Sequence, residues 1–346
     1  ARTLLDEGVR KLEENREESP EVRANTLMVL GQVYDNLGFP DQAMDLERQA
    51  LQIRRDLYGD LHPDVAESLE KLAYTLAASQ QAYTALPLME EALHIHRRLE
   101  SDPLTLANPM QGLARILREL GQPDSAEVLV REALSFRTSL QGESHLQTLG
   151  AELDLAFVLR AQNQLDSSQA IYERVIPRLE AHGDSGSIYL PQTLNNLAYL
   201  LRTRGEFGQA EVYYKQALQH ERRTGAVPNL LLLINNLAGV LDLQGKAGEA
   251  EDLLREGIQI AEDHWPDGHW RIGSAYGGMG AYFLLAGDTT AAEPYLRRAF
   301  EITRDLLGED NSRTPYTRMQ LGVCLTGLGQ FTEAESLLLR AFEWLR

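Results

Sequence analysis

Residues 193–220, TLNNLAYLLRTRGEFGQAEVYYKQALQH, contain two amphipathic segments separated by Gly205. Before the glycine, leucines recur at the three- and four-residue spacing that places side chains on one face of a helix. After it, Ala210 and Ala217 follow the same kind of spacing between polar residues. Because the turn between the segments is short, we expect two helices packed antiparallel as a hairpin. Small residues, including Ala198 in the first helix, would set how closely the two helices approach.

This pattern repeats along the chain with a period close to 42 residues. The turn position is occupied by glycine in most units and by a polar residue in two: Gly38, Gln80, Gly121, Asn163, Gly205, Gly245, Gly287 and Gly329. Small residues recur seven positions before the turn, as Gly31, Ala73, Ala114, Ala156, Ala198, Ala238, Gly280 and Gly322, and again five and twelve positions after it. We interpret these columns as places where two helix backbones lie in close contact, and where a larger side chain would destabilise the fold by about 1–3 kcal/mol.

The first 19 residues fit the same register half a unit earlier, since Gly8 lies 42 residues before Ala50. We therefore expect residues 1–19 to form the second helix of an incomplete repeat and residues 20–346 to form eight helix-turn-helix units. The sequence has no long alternating run typical of β-strands and no low-complexity linker. It predicts one continuous all-α solenoid domain over residues 1–346.

Composition excludes several classes of partner. The chain has 33 basic and 51 acidic residues, for a net charge of −18. Nucleic acid and anionic membrane surfaces require a basic protein surface, so neither is an expected partner. No apolar run is long enough to span a membrane, and insertion of this segment into a bilayer is not expected. The single cysteine, Cys324, forms no internal disulfide and leaves the redox compartment open.

The three columns of small residues resemble the tetratricopeptide (TPR) repeat, which implies a right-handed superhelix of helix-turn-helix units. The 42-residue period and the loop LYGDLHPDV (residues 57–65) resemble the kinesin-light-chain type of this repeat. HEAT and armadillo repeats have similar lengths and are the structural alternative, but they lack the triplet of small residues.

Three further stretches resemble the C-terminal TPR arrays of bacterial serine/threonine protein kinases of the PknB-like type. They are ARTLLDEGVRKLEE (residues 1–14), PEVRANTLMVLGQVYDNLG (residues 20–38) and DGHWRIGSAYGGMG (residues 267–280). The kinase motifs themselves are absent from this sequence. The resemblance implies a non-catalytic sensing or docking region, on either side of a membrane, with a homodimer as one expected assembly.

No catalytic or metal site emerges from residue spacing, and no cofactor is expected. His94 and His96 are two residues apart, so on a helix they face different directions and cannot share a metal. The segment HWPDGHW (residues 264–270) suggests either an aromatic small-molecule site or loop packing, and we favour packing. Gly280 belongs to a small-residue column, so the glycines around it indicate helix packing instead of a phosphate loop. Cys324 falls on the apolar side of its helix and is interpreted as a core thiol. The chain is predicted not to be an enzyme.

The resemblance to TPR proteins places ligands on the concave side, which is lined by the first helices of successive units. By register, the candidate peptide-binding residues are Lys71, Tyr74, Arg115, Arg118, Phe157, Arg160, Asn195, Asn196, Tyr199, Arg202, Asn235 and Asn236. Three of these arginines hold one repeat position through three consecutive units, at Arg118, Arg160 and Arg202.

An extended peptide offers a donor and an acceptor at each residue, and an asparagine amide supplies both in return. The NNLA motifs at Asn196 and Asn236 are similar to those of kinesin light chain, where such asparagines contact a peptide backbone. Arginine guanidiniums fork onto carboxylates, which favours an acidic peptide, although pairing with neighbours such as Glu119 or Asp154 is the alternative. We expect a scaffold that binds an extended, partly acidic peptide or a partner protein. The alternative is a bacterial sensor of a small ligand or a short signalling peptide.

Overall fold

The computed structural model describes residues 2–14, 19–183, 186, 189–225, 227–266, 268–309, 311 and 313–344. Within these residues the chain is built from helices and short turns, and contains no β-strand. This confirms the predicted all-α class. Ala1, residues 15–18 and Asp267, to which the sequence analysis also refers, lie outside the described residues.

The helices are numbered in chain order. They are α1 (Arg2–Glu14), α2 (Pro20–Asn36), α3 (Pro40–Tyr58), α4 (Pro63–Ala78), α5 (Ala82–Arg98), α6 (Pro103–Glu119), α7 (Pro123–Gln141), α8 (Leu146–Ala161), α9 (Leu165–Ala181), α10 (Leu190–Thr203), α11 (Phe207–Thr224), α12 (Val227–Leu243), α13 (Ala247–His264), α14 (Trp270–Leu285), α15 (Thr289–Leu307), α16 (Thr314–Gly327) and α17 (Phe331–Trp344). From α2 onward they form pairs, α2 with α3 through α16 with α17, and we call the members of each pair its first and second helix.

The turn inside each pair uses a backbone conformation that favours glycine. Gly205 has φ of 79°, and its N–H donates to the carbonyl of Arg202 at 3.0 Å while the N–H of Glu206 donates to the carbonyl of Leu201 at 2.9 Å. This pair of hydrogen bonds terminates the first helix, since it satisfies carbonyls that lack a helical partner. Gln80 and Asn163, which fill the two positions without glycine, adopt the same left-handed conformation, with φ of 63° and 62°.

The small-residue columns lie where the two helices of a pair touch, as predicted, and their members are buried. A Cβ added to Gly280 would stand 2.6 Å from Cγ of Leu296 on the paired helix, closer than real Cβ contacts. The serine in one column, Ser168, donates its hydroxyl to the carbonyl of Ala156 at 2.8 Å across the pair. Because the two backbones are close, the hydroxyl of Ser168 reaches a backbone carbonyl on the paired helix.

Several first helices begin with a side-chain cap, whereas α10 and α16 have none. Asp102 accepts from the backbone N–H of Leu104 and of Thr105 at 3.0 and 3.1 Å, and proline follows it at the first helical position. Three helices instead use histidine, whose Nδ1 accepts from the backbone N–H two residues later: His62, His145 and His269, at 3.2, 3.2 and 3.1 Å. Capping is therefore the role of these histidines in the fold.

The chain divides into two compact units, residues 1–178 and residues 179–346. In the first unit, the half-repeat helix α1 packs on α2, and the hydroxyl of Tyr34 donates to Oδ1 of Asp6 at 2.6 Å. Within each unit the second helix of a pair packs against the first helix of the next pair, as in α5 with α6 and in α13 with α14. That residues 1–346 form one domain stays a prediction.

Candidate functional site

The twelve candidate residues lie on the first helices of five consecutive pairs. Arg115 and Tyr199 are exposed, whereas the other ten are half-buried, because side chains from neighbouring helices cover them. Those in the first unit form the Arg118 patch, and those in the second unit form the Asn195 patch. The Arg118 patch comprises Lys71, Tyr74, Arg115, Arg118, Phe157 and Arg160. The Asn195 patch comprises Asn195, Asn196, Tyr199, Arg202, Asn235 and Asn236.

Lys71 and Tyr74 of the Arg118 patch are held by neighbouring first helices. The ammonium of Lys71 on α4 donates to Oε1 of Gln32 on α2. The hydroxyl of Tyr74 donates to the carbonyl of Asn108 on α6 at 3.3 Å, and burial raises the pKa of Tyr74 to about 12. The phenol is therefore neutral at physiological pH and offers a ligand its ring and hydroxyl.

A buried carboxylate, Asp154 on α8, positions Arg115. The Nε of Arg115 donates to Oδ1 of Asp154 at 3.1 Å, and Nε2 of Gln111 donates to Oδ2 at 2.6 Å. Gln111 accepts in turn from Nε of the buried Arg137 at 2.8 Å. Arg115 thus makes the ion pair with Asp154 that the sequence analysis left open, and an acidic ligand would share this guanidinium with Asp154.

Two guanidiniums lie close to the ring of Phe157. The Cζ atoms of Arg118 and Arg160 lie 5.3 and 5.8 Å from its centroid, within the range of a cation–π contact. The ring is held from below by Tyr172, edge to face, at 6.2 Å. Burial lowers the pKa of Arg118, as does repulsion from Arg160, whereas Glu119, at 3.6 Å from its Nη2, opposes both effects. An anion bound between the two guanidiniums would relieve this repulsion.

In the Asn195 patch, amide side chains connect neighbouring first helices. The Nδ2 of Asn236 on α12 donates to Oδ1 of Asn195 on α10 at 2.8 Å. Asn235 lies against Gly278 of α14, where an added Cβ would collide with its amide. Neither Asn196 nor Asn235 has a side-chain hydrogen bond to another described residue, so both amides can serve a ligand.

Tyr199 and Arg202 lie on the following turns of α10. The side chain of Tyr199 is 40% exposed, so its ring is accessible. Arg202 is half-buried and lies near the hydroxyl of the fully buried Tyr214 on α11. Burial raises the pKa of Tyr214 to about 12, and the positive charge of Arg202 acts in the opposite direction. This hydroxyl therefore stays protonated beneath the arginine.

The sequence analysis named Asp154 only as an alternative partner of the arginines. It did not identify two buried arginines, Arg54 and Arg137, that hydrogen-bond to the first helix of their pair. Arg54 donates to Oδ1 of Asn25 at 2.9 Å, and Arg137 donates to Oδ1 of Asn108 at 2.7 Å. Arg54 and Arg137 both stand sixteen residues after the turn position of their units. An alignment of polar residues by repeat position, in place of small ones alone, would have revealed this signal.

The aromatic segment at residues 264–270 shows the loop packing that we favoured. Trp265 stacks on the ring of His269 at 4.6 Å and packs in an apolar cluster with Leu231 and Ile272. The Nδ1 of His269 is engaged in capping α14. The ring of Trp270, by contrast, faces the guanidiniums of two arginines and is treated separately in the last section of the Results.

Cys324 is fully buried, and its Sγ lies 3.2 Å from the carbonyl of Thr289. Burial raises the pKa of its thiol, which agrees with a core thiol. No group of three or more His, Cys, Asp or Glu side chains that could hold a metal ion occurs in the described part of the chain. Among the same residues, no helix combines the length and the apolar character needed to cross a bilayer.

Successive helix pairs, small residues at the contacts within pairs, and arginine and asparagine side chains on the first helices define a repeat protein of the α-solenoid class. The model of the tetratricopeptide repeat matches residues 22–98, 64–139, 105–181, 189–263 and 271–346. The chain belongs to the tetratricopeptide repeat family.

Curated relatives match only part of the chain. Human tetratricopeptide repeat protein 19, a mitochondrial protein, is 29% identical over 137 residues, which cover 39% of this chain and 34% of that protein. The rat protein of the same name is 31% identical over 118 residues, covering 34% of this chain and 31% of the relative. The chain thus spans about a third of the length of these relatives.

Several solved structures share the fold at low sequence identity. The apo form of the quorum sensor NprR from B. thuringiensis is 14% identical, with a TM-score of 0.63 over 98% of this chain and 92% of that one. A Rap protein complexed with competence and sporulation factor is 13% identical, with a TM-score of 0.55 over 94% and 98% of the two chains. A Podospora anserina structure of putative kinesin light chain TPR-like repeats is 20% identical, with a TM-score of 0.50 over 59% and 98%.

Proposed function

We propose that the chain is a non-catalytic TPR scaffold that binds an extended, partly acidic peptide or a partner protein through its first helices. The observation that carries this proposal is the pair of guanidiniums, Arg118 and Arg160, that both contact the ring of Phe157. In a chain with a net charge of −18, a patch that brings arginines together is selective for negative charge. A carboxylate between them would accept charge-assisted hydrogen bonds from either guanidinium.

The remaining candidate residues fit the other needs of an extended peptide. The amides of Asn196 and Asn235 each supply a donor and an acceptor, matching the pattern along a peptide backbone. The exposed ring of Tyr199 offers a surface for an apolar side chain. These features support backbone recognition in the Asn195 patch and recognition of acidic side chains in the Arg118 patch.

The test is a binding assay with fluorescent peptides of one sequence in acidic, neutral and basic versions. The acidic version is expected to bind most tightly, and its affinity should fall with salt because charged contacts are screened. Replacing Arg118 and Arg160 together by Gln should weaken it by about tenfold or more, since charged hydrogen bonds contribute roughly 1.5–3 kcal/mol each.

The control is Arg255→Gln, which removes one guanidinium from an exposed position on α13, where Arg255 pairs with Asp252 at 3.3 Å. This variant should bind as the unaltered chain does. Equal affinity of the acidic peptide for the variant with Arg118→Gln and Arg160→Gln and for the unaltered chain would place the binding surface elsewhere.

A second candidate is a sensor that closes around a short signalling peptide. It is favoured by the similarity of fold to the quorum sensor NprR and to the Rap protein complexed with competence and sporulation factor, each along more than nine-tenths of this chain. Small-angle scattering distinguishes the two candidates. A sensor should become more compact with a short peptide, whereas a scaffold should keep its dimensions.

The resemblance to PknB-like kinases adds a context for either candidate. We propose that the array is the sensing or docking region of such a kinase, where an occupied patch would recruit substrates or bring two copies together. The check is a pull-down with this array as bait, followed by a kinase assay of the captured proteins. If the kinase does not phosphorylate the captured proteins, and if they do not change the pairing of the kinase, the proposed context is wrong.

A further inference from the structure

Two arginines from consecutive helix pairs stack on one tryptophan. Arg271 and Arg313 hold the same repeat position, 42 residues apart, beside the starts of α14 and α16. Their Cζ atoms lie 4.6 and 4.0 Å from the ring of Trp270. We propose that Trp270, Arg271 and Arg313 form a binding site for a phosphoryl group, separate from the residues that carry the proposed function.

The surroundings of Arg271 favour an anion. The guanidinium of Arg271 has no hydrogen-bond acceptor among the described residues, although most arginines around it in the second unit have one. Arg222, for example, pairs with Glu256 at 2.5 Å and Arg297 with Glu333 at 2.8 Å. Burial lowers the pKa of Arg271, and repulsion from Arg313 lowers it further. Both effects would be offset by a bound negative charge.

The ring of Trp270 itself carries a third donor. The indole Nε1–H of Trp270 is buried and has no acceptor in the described part of the chain. A buried donor without a partner destabilises the protein, and an oxyanion that accepts from it would remove that cost. Neighbouring His269 contributes no positive charge at neutral pH. Burial lowers its pKa to about 4, and repulsion from Arg271 and Arg313 acts in the same direction.

The chemistry of these donors favours a phosphoryl group over a carboxylate. The two oxygens of a carboxylate are satisfied by two guanidiniums, as proposed for Arg118 and Arg160, and would leave the indole N–H of Trp270 without an acceptor. Two guanidiniums and an indole N–H approach from separate side chains and suit a dianion with three terminal oxygens. The free phosphate ion and a phosphorylated side chain share this chemistry, and the experiment includes both.

The experiment uses intrinsic tryptophan fluorescence. The chain has three tryptophans, and Trp344→Phe leaves only Trp265 and Trp270, both within the aromatic segment. This parent is titrated at pH 8 and constant ionic strength with sodium phosphate, with sodium acetate, and with a phosphoserine peptide and its unphosphorylated form. We expect a saturable change with phosphate, no change with acetate, and a response to the peptide only when it is phosphorylated.

The variants assign the response to the site. In the Trp344→Phe parent, Arg271→Gln and Arg313→Gln should each weaken phosphate binding by about tenfold, consistent with the loss of one charged hydrogen-bonding group. Arg255→Gln removes a guanidinium from an exposed position on α13 outside this site and should leave phosphate binding unchanged. Arg271→Lys keeps the charge but lacks the planar fork, so this variant should bind phosphate several-fold more weakly than the parent. It replaces the Gln variants in the assay if they do not fold.

Two results would overturn the inference. One is the absence of a saturable phosphate response in the parent, which would leave the stack as a packing contact only. The other is an equal response to acetate, or a response that survives in the arginine variants. Because the peptide assay of the proposed function depends on other residues, either experiment can fail without affecting the other.

Discussion

The amide of Asn236 donates a hydrogen bond of 2.8 Å to Oδ1 of Asn195, which joins the first helices of two consecutive pairs. Both side chains are half-buried, so the contact is partly shielded from water. Adjacent Asn196 has no side-chain hydrogen bond to a described residue. The same NN dipeptide therefore contains one residue that links helices and one whose amide is left for a ligand.

We predict that Asn195 and Asn236 are coupled in stability. Asn195→Ala and Asn236→Ala should each lower the free energy of unfolding by about 1 kcal/mol, because each leaves the partner amide unpaired. The double variant should lose less than the sum, with a coupling of about 0.5–1 kcal/mol. Urea denaturation followed by circular dichroism measures these values, and Asn196→Ala is the control. Strict additivity of the two changes would contradict the contact.

A second prediction concerns the competition between Asp154 and an acidic ligand for Arg115. Asp154→Asn removes the negative charge that now engages this guanidinium at 3.1 Å. The acidic peptide should then bind about three- to tenfold more tightly, since less than 1.5 kcal/mol of attraction is sufficient for that change. Asp124→Asn on α7 carries the same change in charge and should leave affinity unaltered. Weaker or equal binding to Asp154→Asn would remove Arg115 from the site.

A third prediction concerns the pH dependence that Glu47 imposes. Glu47 is fully buried, its Oε1 accepts from the hydroxyl of Thr75 at 3.0 Å, and its Oε2 has no partner among the described residues. Burial raises its pKa to about 7, above the ordinary 4.5. The folded protein therefore binds this proton more tightly than the unfolded chain does. The resulting stability is complete below pH 4.5 and is lost as pH rises through 7.

Glu47→Gln should accordingly be more stable than the unaltered chain at pH 8, by an amount on the order of 2–3 kcal/mol, and the difference should shrink toward pH 5. Thermal denaturation at several pH values between 5 and 8 measures it. Asp45→Asn, an exposed change in the same helix, serves as the control. A difference that does not vary with pH would show that Glu47 does not titrate in this range.

A fourth prediction follows from the two turns without glycine. Gln80 holds φ of 63°, a conformation that strains residues with a Cβ. Gln80→Gly should therefore raise the free energy of unfolding by about 1 kcal/mol, and Asn163→Gly by less, because asparagine tolerates this conformation better. The neighbouring Gln81 has φ of −100°, so Gln81→Gly should not stabilise the protein. A loss of stability in Gln80→Gly would contradict this account.

The repeated spacing was enough to predict most of the fold. Glycine at position 205 and alanine at positions 198 and 210 have consequences that are local to one hairpin, namely a left-handed turn and a close helix contact. The same spacing predicted that Gln80 and Asn163 occupy turns, and both do. Such features are readable because they depend on residues that are near in sequence.

The surroundings of the candidate residues were less predictable. Arg115 could be assigned to a first helix, but its partner Asp154 is 39 residues away, and the choice between a ligand and this carboxylate was left open. The buried position of Glu47 was also not foreseen, since the equivalent position in other units is occupied by residues such as Met89 and Leu254. Contacts of this kind join side chains across repeats and follow no fixed spacing.

The sequence alone determined that this protein consists of paired helices, where each helix ends, and which faces touch, because helical periodicity and glycine conformation act over a few residues. Only the tertiary structure decided that Arg118 and Arg160 share the ring of Phe157, that Arg271 and Arg313 share the ring of Trp270, and that Asn195 pairs with Asn236. The physical reason is that these contacts depend on how one helix pair is seated on the next. Side chains about 40 residues apart meet only after that packing is complete.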